Sequence, residues 1–583
     1  MTEAHAEERE PSELTGSVGR KAKKRALVTR YWGEVVVVAL AFILWAPRLS
    51  GPIDLRYDGG VYYVLGTSLS EGHGYRIPSE PSAIQALQYP PLLPAIVALH
   101  QRILGTADPN LVAPWLRGTY FITYLGYALA VFALARRYLG AGFALVASGL
   151  CLFHFETFFL SDLLFAEIPF ALISVLFVLV ATTDRLNSHR GLREVMSFLL
   201  AAAGFLLRTA GIALLGAWVL ESVVRRQWRL VLLRGVLSLL PVLMWQAYVA
   251  RVQRSDQYAH PAYQYQRAPY QYYNVSYAEN MRLVDPFHPE LGSLSSSTAV
   301  KRLLANLPAL GLSLGEGISA RGADLAHIFL KAQRRLWHQS HIPPVIAFMP
   351  VLLLSALVVA GLFILATEGG WLIVFIVLLS TALVLTTPWP EQFTRYLVPI
   401  GSFLSIVAVL SLLRIGEAAR NQSRARYKTA RLSIVALLLV SFGIEAIPST
   451  RLFRLRRLRE SLTIEPEGRT PSRLFSHDVF WQNWERAGNW LQVHAPGESI
   501  VATSAPHWLY LRTGLRAVLP PMESDPARAR RLLQSVPVSY VIVDELGFLD
   551  ISRRYAAPAM ESDPIGWRLV QSWDKTRLYE RVR

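Results

Sequence analysis

The chain has 583 residues, 52% of them apolar, and carries 59 Lys and Arg against 42 Asp and Glu, a formal net charge of +17. Long uncharged runs recur through its first three quarters, which excludes a soluble globular protein and indicates helical membrane spans. The basic excess does not indicate nucleic acid as a partner. Lys and Arg cluster in short loops between apolar runs, where they set topology and meet anionic lipid head groups.

Residues 1–33 are polar and then basic, reading as a disordered cytoplasmic tail. The apolar run after them is of spanning length and lacks a small-residue cleavage site, so it reads as a retained first helix. Hydropathy predicts spans at about 34–49, 113–135, 141–155, 164–182, 195–206, 209–222, 230–249, 344–366, 371–387, 397–413 and 432–448. Basic clusters such as Arg136-Arg137, Arg225-Arg226 and Arg420 to Arg431 fall on one side throughout. That agreement predicts about eleven spans, with the N-terminus inside and the C-terminus outside. The membrane domain then covers 34–449, with external loops at 50–112 and 250–342. The first half of the second loop is rich in Tyr, and its second half, about 298–337, reads as amphipathic helices on the membrane surface.

Residues 450–583 read as a soluble external α/β domain. Its signals are the run SIVATS, a helix at about 525–535 and the strand VSYVIVDE. It contains no Gly-rich phosphate loop and no G-x-S-x-G elbow. Cys151 is the only cysteine, so the chain has no internal disulfide and no CxxC zinc site.

The polar oddities gather on the predicted outer side. Asp54, Asp58, His73 and Glu80 lie in the first loop; His154, Glu156, Asp162 and Glu167 flank spans three and four. Arg208 separates spans five and six, and Arg395 precedes span ten. Ionisable groups at membrane depth are costly and mark working sites. Carboxylates can take a proton from a nucleophile, and arginines can hold a phosphate by charge-assisted pairs.

The run YDGGVYYVLGTSLSEGHGY followed by QYPPLLP resembles the first external loop of the GT-C glycosyltransferases, more narrowly bacterial relatives of protein O-mannosyltransferases and aminoarabinose transferases. In that family an acid opens an interfacial helix of the form D-x-x-x-Y-x-x-x-A/G, matched by Asp58, Tyr62 and Gly66, and Tyr-Pro-Pro follows, matched by Tyr89, Pro90 and Pro91. SDLLFAEIPF resembles the second acidic segment, with Glu167 or Asp162 in the acidic place. FLLRTAGIALL resembles the short-helix pair around Arg208, and FTRYLVPIGSFL the late Arg395-Tyr396 segment. The resemblance implies a polytopic α-helical fold with a C-terminal α/β domain. It implies transfer of a sugar from a polyprenyl-phosphate donor to a hydroxyl acceptor on a protein, lipid or glycan, in a bacterial plasma membrane. Many members carry Asp-Glu where this chain has Asp58-Gly59, and no DxD is present, so metal-independent chemistry without a cofactor is expected.

Simpler readings stand beside these. Asp58 alone is an N-cap, and Asp-Gly-Gly is turn chemistry. Glu167 can cap span four, and Arg208 can snorkel. The Tyr-rich loop can be an interfacial belt or a sugar-stacking surface. Two other function classes remain, a flippase or transporter of lipid-linked saccharide and a non-catalytic scaffold. The transporter would need midplane charges and repeat symmetry, which the sequence lacks. The reading adopted makes Asp58 the general base of an inverting transfer, with Glu167 or Asp162 as second acid. Arg395, Tyr396, Arg208, Tyr62 and Tyr89 are the substrate-binding residues.

Overall fold

The computed structural model describes residues 31–49, 51–183, 188–336, 348–422, 479–546 and 550–582, with isolated positions between them. The polar N-terminal tail up to residue 30 lies outside the described residues. So, apart from isolated positions, does the eleventh expected span, at about 432–448.

The other ten expected spans each fall on a helix. They are α1 (Tyr31–Arg48), α4 (Pro109–Tyr138), α5 (Ala141–Phe153), α7 (Glu167–Ala181), α8 (Arg190–Leu207), α9 (Ile212–Val224) and α10 (Trp228–Gln253). After α11 (Ser296–Glu316) and α12 (Gly322–Leu336) come α13 (Met349–Thr367), α14 (Trp371–Leu385) and, after a short helical lead-in, α15 (Gly401–Gln422). Among the described residues, 5 helices are long and apolar enough to cross a membrane: α1, α4, α10, α13 and the continuous Pro390–Ala418 stretch. The chain is a multi-pass membrane protein. Apolar side chains such as Leu232, Leu243 and Met244 of α10 stand exposed on its outer surface, as lipid-facing positions do.

Between α1 and α4 the chain forms α2 (Asp58–Ser70), a small hairpin of β1 (Arg76–Ile77) and β2 (Ile84–Gln85), and α3 (Leu92–Leu104). Gly66 lets α2 and α3 touch; a Cβ there would lie 2.6 Å from Val97 Cβ. The strand-like segment before α2 pairs with the segment between the short helix α6 (Phe155–Leu160) and α7. Asp54 N donates to Asp162 O at 3.0 Å and Leu164 N donates to Asp54 O at 2.9 Å. This parallel pairing sets the first turns of α2 and α7 side by side, each opening on an acid, Asp58 and Glu167. α11 packs along α13 so closely that a Cβ on Gly315 would meet Val351 O at 2.1 Å.

At the far ends of α8 and α9 from Arg208, buried Arg234 of α10 donates to Glu194 and Glu221 at 2.8 and 3.2 Å. This knot joins the three helices, because losing one partner would leave an unpaired buried charge.

The C-terminal domain holds helix α16 (Val479–His494) and a five-stranded sheet ordered β4-β3-β5-β7-β6. β3 (Ile500–Ala502) lies parallel to β4 (Arg516–Val518) and β5 (Val538–Val543). β7 (Thr576–Arg581) runs antiparallel to β5 and forms a hairpin with β6 (Trp567–Trp573). The predicted strands match β3 and β5, and the predicted helix matches Pro526–Gln534. The domain sits on the loops of the membrane domain. Tyr263 and Tyr265 of the Tyr-rich loop are buried in its core cluster, and Ser79 O accepts from Ala517 N at 2.9 Å.

Candidate active site

A cavity of about 930 Å³ opens where α2, α7, the α8–α9 junction, the Tyr-rich loop and the C-terminal domain meet. Helix termini deliver its charged groups. Asp58 and Glu167 each occupy the first turn of a helix, where the helix dipole favours a carboxylate. Arg208 is the extended residue, φ −147° and ψ 137°, that separates α8 from the turn leading into α9. Arg395 lies in the short helix Phe393–Leu397, with Pro390 before it and Pro399 after it.

These four side chains form one network. Arg395 Nη2 donates to Asp58 Oδ2 at 2.7 Å, and Arg395 Nε donates to Glu167 Oε1 at 2.8 Å. Arg208 Nη1 lies 2.7 Å from the same Glu167 oxygen. Tyr89 Oη donates to the other Asp58 oxygen at 3.0 Å. Glu167 is 2% exposed at its side chain, while Asp58 and Arg395 keep 19% and 22%. The buried acid therefore anchors two guanidiniums, and the Asp58–Arg395 pair faces the cavity. Two negative and two positive charges balance, which makes burial tolerable.

The spans line the cavity with apolar Phe170, Phe205, Ile212, Val242, Val249 and Val384. Aromatic rings with polar tips line it as well. Tyr62 lies 4.8 Å, centre to centre, from Tyr89, and Tyr89 lies 6.5 and 6.4 Å from Tyr272 and Tyr273. Tyr396 Oη donates to Gln392 Oε1 at 3.1 Å.

The C-terminal domain also lines the cavity, with Ser504, His507, Trp508 and Leu546 among its contributions. His507 is 3% exposed and lies 2.8 Å, Nδ1 to Oγ, from Ser79. Among the described residues its Nε2 has no hydrogen-bond partner. Burial pushes its pKa down to about 3, so the ring is neutral. Gly60 allows this approach, since a Cβ there would lie 3.2 Å from His507 Cβ. Gly59 is similarly enclosed, since a Cβ there would lie 3.2 Å from Asp54 O, which gives a packing reason for glycine in the place of a second acid.

Of the residues singled out in the sequence, Asp58, Glu167, Arg208, Arg395, Tyr62, Tyr89 and Tyr396 all line this one cavity. Asp162 does not; its carboxylate lies 2.8 Å from buried Arg117. Asp54 pairs with Arg56 at 2.6 Å. Glu80 lies beneath the Tyr-rich loop, accepting from Tyr263 Oη at 2.8 Å. Glu156 lines the cavity and pairs with Arg321. Sequence reasoning missed His507 and Ser504. Their signal is positional, since both follow a buried parallel strand, where α/β sheets present ligand-binding residues. Among the described residues no group of three or more His, Cys, Asp or Glu is placed to hold a metal ion. Both carboxylates of the network are engaged by guanidinium, a set that does not fit a divalent cation.

No family model and no curated protein sequence matches the chain. Solved structures do resemble it. The Archaeoglobus fulgidus oligosaccharyltransferase tethered to an acceptor peptide with an NVT sequon aligns with a TM-score of 0.52 and 12% identity, over 96% of this chain and 75% of that one. AglB from Archaeoglobus fulgidus, in complex with an inhibitory peptide and a dolichol-phosphate, gives 0.48 and 14%, over 95% and 75%. ArnT from Cupriavidus metallidurans bound to undecaprenyl phosphate gives 0.47 and 13%, over 94% and 98%. The chain has the GT-C fold, a helical membrane domain carrying a C-terminal sheet domain.

Proposed function

We propose that this chain is a glycosyltransferase that moves a sugar from a polyprenyl-phosphate-linked donor to a hydroxyl acceptor, with inversion at the anomeric carbon. The observation that carries the reading is the Asp58–Arg395 pair, 2.7 Å apart in a cavity lined by apolar side chains of the spans and by tyrosines. The fold shared with an oligosaccharyltransferase supports it. Asp58 accepts the acceptor's proton as its oxygen attacks the sugar, and the phosphate leaves as an anion steadied by Arg395 and Arg208. A phosphate is a good leaving group, so no strong general acid is required. The apolar side chains of the lining suit the isoprenoid, and the aromatic rings suit sugar faces. The same reading puts the loops at 50–112 and 250–342 and the C-terminal domain outside a bacterial plasma membrane. The N-terminus is then cytoplasmic.

The test is transfer from a radiolabelled polyprenyl-phosphate sugar in proteoliposomes. Asp58→Asn should stay folded and inserted but lose transfer. Wild-type rates from a purified Asp58→Asn protein would refute the base assignment.

A further inference from the structure

The charges of this network have to be reconciled with those of the reaction. Before transfer, the carboxylate of Asp58 and the phosphodiester of the donor each carry one negative charge. The acceptor O–H proton then passes to Asp58 while the acceptor oxygen bonds to the anomeric carbon. The bond from that carbon to the phosphate oxygen breaks, and its electron pair stays on the phosphate. Afterwards Asp58 is neutral and the lipid phosphate is a dianion. The negative charge has moved from the base to the leaving group.

Among the described residues one cation pairs with the base. Arg395 donates to Asp58 Oδ2 through Nη2, and its Nε is held separately by Glu167 at 2.8 Å. Glu167 is buried and stays paired with Arg208 as well. The guanidinium therefore has a fixed anchor at Nε and a second contact, at Nη2, whose partner is the group that the reaction neutralises. A protonated Asp58 no longer repays the desolvation of a facing guanidinium, whereas a phosphate dianion does. Among the described residues Asp58 also interacts with Tyr89, Tyr62, Tyr272 and Tyr273, none of them cationic.

Resting on the reading of Asp58 as base, we infer that Arg395 changes partner during transfer. It is held by Asp58 before the proton moves and is handed to the leaving phosphate when it does. Arg395 thus aims the Asp58 carboxylate in the resting site, and becomes available to the phosphate only as charge develops there. A contact that strengthens only toward the transition state accelerates the chemical step without tightening ground-state binding.

The experiment measures binding of free undecaprenyl phosphate, with no acceptor and no turnover, by quenching of the cavity tryptophans in detergent. Asp58→Asn removes the charge that competes for Arg395, so it should bind the lipid phosphate roughly tenfold more tightly than wild type. Asp58→Asn combined with Arg395→Ala should lose that gain. Asp58→Ala, tested in the same way, should show the same gain, because it too removes the competing charge, and it keeps the test standing where Asp58→Asn does not fold. Equal or weaker binding by the folded Asp58 variants, or a gain that survives Arg395→Ala, would each overturn the exchange of partners. Those outcomes would leave the base assignment standing, which depends separately on the loss of transfer by Asp58→Asn.

Discussion

Tyr89 and Arg395 hold opposite oxygens of the Asp58 carboxylate, at 3.0 and 2.7 Å, so the plane of that group is fixed by two donors from distant parts of the chain. The tyrosine contact can be removed without disturbing the stack, because phenylalanine keeps the ring against Tyr62. A hydrogen bond to a charged group contributes about 1.5–3 kcal/mol. Only the part that orients the base should appear in the rate. Tyr89→Phe should therefore lower kcat for sugar transfer roughly tenfold, with a fall of only a few degrees in the unfolding temperature. A kcat equal to wild type in a proteoliposome assay would mean that Arg395 alone fixes the carboxylate.

Arg208 should behave differently from Arg395. It touches Glu167 but not Asp58, and its side chain is 22% exposed at the cavity. Removing it leaves Glu167 still paired with Arg395. Arg208→Ala should therefore raise the donor KM about tenfold with a smaller loss of kcat. Arg395→Ala should cost kcat heavily, because it leaves two carboxylates without their shared cation. Comparable kinetic defects in the two variants would contradict this division of labour.

How much of this was legible in the sequence follows from the range of each signal. The helices were readable because a run of apolar residues is a local property, and the acid opening α2 was readable from its own short pattern. The choice between Glu167 and Asp162 was not. The two acids are close in sequence, and what separates them is a contact with Arg117, in a span whose apolar run says nothing of which way an interior arginine points. The place of His507 in the cavity wall was hidden for the same reason, since it depends on Gly60 lying under a domain more than four hundred residues further on. The β6–β7 hairpin carries a weak local signal. It turns through Asp574-Lys575, with a left-handed φ of 54° at Asp574 and no glycine to announce it.

The crossing of α2 over α3 should be intolerant of even one methyl group. A Cβ on Gly66 would meet Val97 Cβ and Cγ1 at 2.6 Å and the backbone oxygen of Pro94 at 3.0 Å. Neither helix can yield without moving the other. Overpacking of this kind costs about 1–3 kcal/mol. Because Asp58 opens the same helix, Gly66→Ala should lower both the unfolding temperature and the transfer rate. Gly74→Ala is not an equivalent control, since Gly74 holds a φ of +83°. Gly118→Ala, in α4 with open space around it, should leave both unchanged.

Glu80 should make the seating of the Tyr-rich loop sensitive to pH. The side chain is 2% exposed, accepts from Tyr263 Oη at 2.8 Å and Gln266 Nε2 at 3.3 Å, and lies where the first loop meets the Tyr-rich loop. Burial raises its pKa from 4.5 to about 7, and the hydrogen bonds and the charge of Arg267 keep it from rising further. The folded state then holds a proton that the unfolded state gives up above pH 4.5. Stability from this group is full below that value, falls as pH rises to about 7 and is flat beyond, a loss of about 3 kcal/mol in all. Other acids slope the opposite way, such as Glu279, which hydrogen bonds hold below the usual carboxylate range. The informative quantity is therefore the difference between wild type and Glu80→Gln. Gln keeps the shape and cannot ionise, so the variant should match wild type near pH 5 and exceed it at pH 8, by thermal unfolding in detergent. Parallel unfolding curves for the two proteins from pH 5 to 8 would show that Glu80 stays ionised in its buried position.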